Sequence, residues 1–205
     1  VTGFPNFPAG VIHEGYRGRF YMKEEVGGVR VHRCWLLTTP RRLSRPLSYA
    51  SFLLSSTLCV LLARLRYDVV VATIPPPTVG LPGVLAALRG RVPLVLDLRD
   101  IWPEAIVQSG RLTNPLVIRL FEGIAHFLYR RARKITAVTE GWRERLVEMG
   151  VPADKIEVIS NGVDGTAFAD VPPELPPAFD ALEPDARWFT YSVILIRPQL
   201  LDFIL

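Results

Sequence analysis

Short apolar runs and segments of helical periodicity take turns along most of the chain. After the Gly27-Gly28 pair, Val29–Trp35 alternates Val29 and Val31 with Arg30 and His32 and predicts a strand. Ser44–Arg66 predicts a long helix. Asp68–Thr73 (DVVVAT) predicts a β-branched strand, and Thr78–Leu88 a helix set between Pro75-Pro76-Pro77 and Gly90. Val92–Leu98 (VPLVLDL) then reads as a strand and Pro115–Arg133 as a helix. Lys134–Val138 (KITAV), a helix over Glu140–Met149 stopped by Gly150, and Lys155–Ile159 (KIEVI) close the series. Apolar strands alternating with helices predict a doubly wound α/β domain, its parallel sheet covered on both faces.

The pattern breaks after Asp164. Residues 165–186 hold five prolines and five acidic residues with no basic one, a linker composition. Trp188–Ile196 resumes as a strand and Gln199–Leu205 opens something helical. The expected organisation is a domain over 1–164, an acidic Pro-rich linker over 165–187, and the opening of another domain over 188–205.

Composition narrows the class. The 205 residues are 49% hydrophobic and 21% charged, which excludes a disordered chain and suffices for a sizeable core. Two cysteines, Cys34 and Cys59, exclude a disulfide scaffold and a four-thiolate zinc site; they read as small buried residues in a reducing compartment. His13, His32 and His126 have no HxxxH or HExxH spacing, which argues against a zinc hydrolase. The chain opens on Val1-Thr2-Gly3-Phe4-Pro5, with neither an initiator Met nor a signal peptide, and reads as a piece of a longer protein.

Charge is uneven. Residues 1–66 carry nine Arg and one Lys against three Glu, and the remainder is net acidic. Arginine supplies 21 of the 24 basic residues, which favours phosphate or anionic-surface contacts, although genome composition produces the same bias. Nucleic acid is not an expected partner, because no helix-turn-helix, RNP-like or zinc-finger pattern is present. Leu47–Ala63 is free of charge, but its 17 residues include four serines and a threonine. A packing helix is expected there ahead of an interfacial helix or a membrane span, which needs about 20 apolar residues.

In an open parallel sheet, ligands bind beyond the carboxyl ends of the strands. The most polar exit follows Leu94-Val95-Leu96 and reads Asp97, Arg99, Asp100, Trp102, Pro103, Glu104. It offers three carboxylates, a guanidinium and an indole able to stack on a sugar; an ion pair of Arg99 with a neighbouring Asp is the plain structural alternative. The Pro75-Pro76-Pro77 exit offers a wall without chemistry. Thr139 caps the helix that follows it, and Ser160-Asn161-Gly162-Val163-Asp164 reads as a turn. Neither GxGxxG nor GxxxxGK[ST] is present.

The segments RYDVVVATIPPPTVGL, VPLVLDLRDIWPE and RARKITAVTEGWRERLVEMGVPADKIEVISNGVD, in this order, resemble the amino-terminal domain of glycosyltransferase family 4. The likeness runs from about Val1 to Asp164 and is strongest to bacterial enzymes of surface-polysaccharide, lipopolysaccharide and O-antigen synthesis. The resemblance implies one Rossmann-like half of a GT-B fold. It implies sugar transfer from a nucleotide-diphosphate sugar to a saccharide or lipid-linked acceptor, with retained configuration and with neither metal nor cofactor. The amino-terminal domain mainly holds the acceptor. Where many members have a His-Asp pair this chain has Arg99-Asp100, so Asp100 and Glu104 stand as the catalytic candidates. Arg99, Trp102 and Thr139 are the acceptor-binding candidates, and Asn161, Gly162 and Arg197 the donor-binding ones.

Against the family pattern, the first strand and its glycine-rich loop would precede Val1, and the pair of donor-domain glutamates would follow Leu205. Val193, Ile196 and Leu200 stand where the family has glycines, which spoils a diphosphate loop. The 205 residues alone are therefore expected to be inactive. The location implied is cytoplasmic, with a peripheral contact on the inner face of the plasma membrane. The rival reading is a non-catalytic α/β module or gene remnant that docks through its basic first third on an anionic membrane or a partner enzyme.

Overall fold

The computed structural model describes residues 1–6, 10–38, 44–63, 65–108, 110 and 112–168. The chain divides into two compact units, Val1–Ser160 and Asn161–Leu205. The linker and following-domain expectations fall, beyond residue 168, outside the described residues, and Arg197 with them.

The first unit carries two sheets. The parallel sheet consists of β4 (Val70–Ile74), β5 (Leu94–Leu98), β6 (Lys134–Ala137) and β7 (Ile156–Val158), in that spatial order. Each strand pairs in parallel with the next, and the crossovers are α2 (Gly80–Gly90), α4 (Pro115–Arg131) and α5 (Glu140–Glu148). This is the expected Rossmann-like α/β arrangement. A short helix, α3 (Glu104–Gln108), lies between β5 and α4.

The core explains the order. Ala72, Ile74, Leu94, Leu96, Leu98, Ile135, Ala137 and Ile156 are buried with Val84 and Ala87 of α2, Ala125, Leu128 and Tyr129 of α4, and Leu146 of α5. All three crossover helices therefore cover one face of the sheet. The other face carries Val71, Thr73, Val95, Asp97, Lys134, Thr136 and Glu157, which are exposed or half-buried. That face mixes the apolar Val71 and Val95 with the polar Thr73, Asp97, Lys134, Thr136 and Glu157, while α2, α4 and α5 follow the apolar set on the other.

The second sheet has β1 (Thr2–Gly3) parallel to β3 (Val29–Cys34), and β3 antiparallel to β2 (Tyr21–Val26). Gly27 and Gly28 close the hairpin with φ of +56° and +78°, left-handed values that a two-residue turn demands and that glycine adopts without strain. The predicted Val29 strand is thus a hairpin partner, not a member of the parallel sheet. Helix α1 (Ser44–Leu62) ends before the predicted Arg66. It buries Ser51, Ser56, Cys59 and Val60 and leaves Leu54 and Leu62 each 72% exposed. Cys34 and Cys59 are free and buried, as expected, and burial pushes the Cys34 thiol up to about 12, so Cys34 does not read as a nucleophile.

Candidate functional site

The β5 exit brings Arg99, Asp100, Trp102 and Glu104 into one segment, and the elements around it assign each a different environment. Leu98 and Ile101 are buried and fix the two ends of the Arg99-Asp100 step. The Arg99 amide donates to the Ile74 carbonyl at 2.9 Å, so the exit of β5 is still tied to the end of β4.

Arg99 forms the ion pair that the sequence left open, and its partner is Asp97. Its Nε lies 2.9 Å from Asp97 Oδ2, and the side chain stays 48% exposed. Asp97 also accepts from Thr73 Oγ1 at 3.1 Å and from Thr136 Oγ1 at 2.9 Å.

Asp100 has no hydrogen-bond or ion-pair partner among the described residues. Partial desolvation alone raises its carboxyl above the usual aspartate range. An exposed, partly desolvated carboxylate at a strand exit, without a partner among the described residues, is a candidate proton acceptor.

Glu104 is engaged. Arg145 of α5 donates from Nε to Glu104 Oε2 at 3.1 Å and from Nη1 to Glu148 at 2.8 Å. Glu104 also opposes ionisation of buried Tyr129, whose hydroxyl is pushed up to about 12 chiefly by burial. Among the described residues, donors reach the carboxylate of Glu104 and none reaches that of Asp100. Trp102 is half-buried, edge-on to Tyr49 of α1 at 6.4 Å and to Phe121 of α4 at 5.7 Å. That packing holds the indole at the exit and links α1 to α4 through it.

Thr139 caps α5, its hydroxyl accepting from the Trp142 amide at 3.3 Å. Capping accounts for its side chain. Asn161 and Gly162 lie exposed in the second unit. There Asp164 accepts from the Thr166 amide at 3.0 Å and hydroxyl at 2.7 Å, bonds that hold its carboxyl below the ordinary value.

Sequence reasoning missed one feature at the β4 exit. Pro76 walls a cavity of about 430 Å³ whose polar lining comes from Thr2, Asn6, Arg33, Ser48 and Tyr49. Arg33 is anchored there by Glu24 at 2.6 Å and by Tyr16, 5.5 Å from its guanidinium carbon. Asp100 and Glu104 do not line this cavity. No sequence signal could have assembled it, because β1, β3, α1 and the β4 exit each supply one wall. Among the described residues no three His, Cys, Asp or Glu side chains gather as a metal site, and no helix is long and apolar enough to cross a membrane.

Residues 10–162 match the model of the glycosyl transferase 4-like domain. A solved structure of Anabaena Alr3699/HepE in complex with UDP-glucose is similar to 64% of this chain, with 21% identity and a TM-score of 0.35. The chain spans 31% of that protein's length. No curated protein matches the chain significantly.

Proposed function

The chain belongs to the glycosyl transferase 4-like domain family, and we propose that it forms the acceptor-holding part of a glycosyltransferase that uses a nucleotide-diphosphate sugar. The observation that carries this reading is Asp100, a partly desolvated carboxylate without a partner among the described residues, at the carboxyl end of a parallel strand.

In the proposed reaction an acceptor hydroxyl oxygen bonds to the anomeric carbon of the donor sugar. The bond from that carbon to the diphosphate breaks on the same face, so configuration is retained. The hydroxyl proton passes to Asp100 or to the departing diphosphate. Arg99 orients the acceptor and offsets negative charge, and the Trp102 ring bounds the space beside it. Glu104, tied to Arg145, shapes the exit and takes no proton. Asn161 and Gly162, within the crossover that ends at Asp164, and Arg197 after it serve the donor side. The compact-unit boundary at Ser160 supports placing the first domain's end there. The acceptor is a saccharide or lipid-linked sugar of cell-surface polysaccharide synthesis. The basic first third makes a peripheral, salt-sensitive contact with anionic lipid at the cytoplasmic face.

The test is an assay of the whole gene product, read from the encoding DNA. UDP-glucose, UDP-N-acetylglucosamine and GDP-mannose serve as donors, and polyprenyl-diphosphate-N-acetylglucosamine and a maltooligosaccharide as acceptor probes. Transfer with a retained anomer is expected, and absence of transfer to both probes overturns the reading. A polypeptide of only these 205 residues is expected to release no UDP or GDP, and steady release from it would show that the donor site is here after all.

A further inference from the structure

The β5 exit contains a second carboxylate to which the reaction above assigns no role. Thr73, Asp97 and Thr136 stand directly opposite one another in the registers of β4, β5 and β6. Thr73 Oγ1 donates to Asp97 Oδ2 at 3.1 Å, and Thr136 Oγ1 donates to Oδ1 at 2.9 Å. Each threonine is stiff at χ1 and sits on a ladder-paired strand, so the carboxylate between them has little freedom to rotate. Asp97 spends that fixed geometry on one cation: Arg99 Nε donates to Oδ2 at 2.9 Å. A guanidinium gripped through Nε on a fixed acceptor keeps the plane of its fork set, which a flexible lysine in the same place would not.

We propose that Asp97 is a positioning residue that holds the Arg99 guanidinium, at the step before Asp100, in the orientation in which Arg99 meets the acceptor. The inference deepens the glycosyltransferase reading and rests on it. Desolvation works to raise the Asp97 carboxyl, but the hydrogen bonds from Arg99, Thr136 and Thr73 outweigh it and hold the group below its ordinary value. Asp97 therefore remains anionic wherever the neighbouring Asp100 can act as a base. The rival explanation is a plain structural staple across three strands on the open face of the sheet. A staple predicts lost stability and unchanged acceptor kinetics; a positioning residue predicts a KM effect that runs through Arg99.

A double-mutant cycle on the whole gene product separates the two, with whichever acceptor probe is glycosylated. Asp97→Asn and Arg99→Ala are each expected to raise the acceptor KM about tenfold or more, since small misplacements of an orienting group are costly, with kcat changed much less. The double variant is expected to match Arg99→Ala alone. Thr73→Val with Thr136→Val keeps the charge and loosens the carboxylate, so a smaller KM rise is expected. This variant decides the matter should Asp97→Asn fail to fold. Parental KM in Asp97→Asn, or effects that add in the double variant, overturns the inference and leaves the enzyme reading standing. Absence of transfer by the unmodified protein overturns both.

Discussion

Asp97 and Asp100 leave the same strand end and titrate in opposite directions. Hydrogen bonds outweigh desolvation at Asp97 and lower it, whereas Asp100 meets desolvation alone and is raised. With a raised folded value, Asp100 adds stability below its unfolded pKa and loses it as pH rises through the folded one. Asp100→Asn is therefore expected to melt at the parental temperature or slightly above at neutral pH, while transfer falls about 10²–10⁴-fold. The acid limb of kcat/KM, displaced upward from the ordinary aspartate range, should vanish with it. A near-parental rate in Asp100→Asn would remove it from the chemistry. At this scale the sequence was legible where residues are neighbours: the exit segment Arg99–Glu104 emerged whole. Their partners were hidden because folding supplies them from far away, Thr73 and Thr136 lying 24 and 39 residues from Asp97, and Arg145 lying 41 from Glu104. An ion pair for Arg99 was foreseeable; that it would be Asp97 depended on strand register.

Two glycines in helices separate packing from propensity. A Cβ on Gly83 of α2 would stand 2.9 Å from the Ala72 Cβ, which moves only with the β4 backbone. A Cβ on Gly123 of α4 would meet nothing within 4 Å. Gly83→Ala is expected to cost about 1–2 kcal/mol, overpacking exceeding the helix gain. Gly123→Ala is expected to gain about 0.5–1 kcal/mol. Denaturant midpoints check both, and a gain at Gly83 would mean that α2 is not seated on β4 as described. Element identity was readable in α4, where Asn114 caps the Leu116 and Val117 amides and Pro115 fills the first turn. It was readable also in DVVVAT and VPLVLDL, whose short runs, rich in Val and Leu, are bounded by turn signals and suit a strand. It failed at Tyr21–Val26, where Lys23-Glu24-Glu25 hides a strand that pairs, among the described residues, with β3. The short α3 was missed for a related reason: its five residues bury no side chain, so no apolar period marks it.

Over the whole molecule, the charge asymmetry and the α1 surface bear on where the protein works. Arg17, Arg19 and Lys23 are exposed beside the hairpin. Arg41 and Arg42 lie outside the described residues, and the side chain of Arg45 is likewise not described. Each basic residue near an anionic bilayer contributes about 1 kcal/mol within a Debye length. Sedimentation with phosphatidylserine vesicles should show binding at low salt that high salt reverses. No binding at low salt removes the membrane contact, and binding that resists both salt and alkaline carbonate transfers the role to the exposed leucines of α1. The two sheets also differ in how long their amide protons should last. β5 alternates buried with half-buried residues and is paired on both edges, whereas β2 has no buried residue and, among the described residues, a single partner. Amides at such thinly packed edges exchange through small local openings, while those of a central strand wait for global unfolding. Deuterium should therefore enter Tyr21–Val26 orders of magnitude sooner than Leu94–Leu98. Uptake at one common rate would mean that hairpin and parallel sheet come apart in a single event.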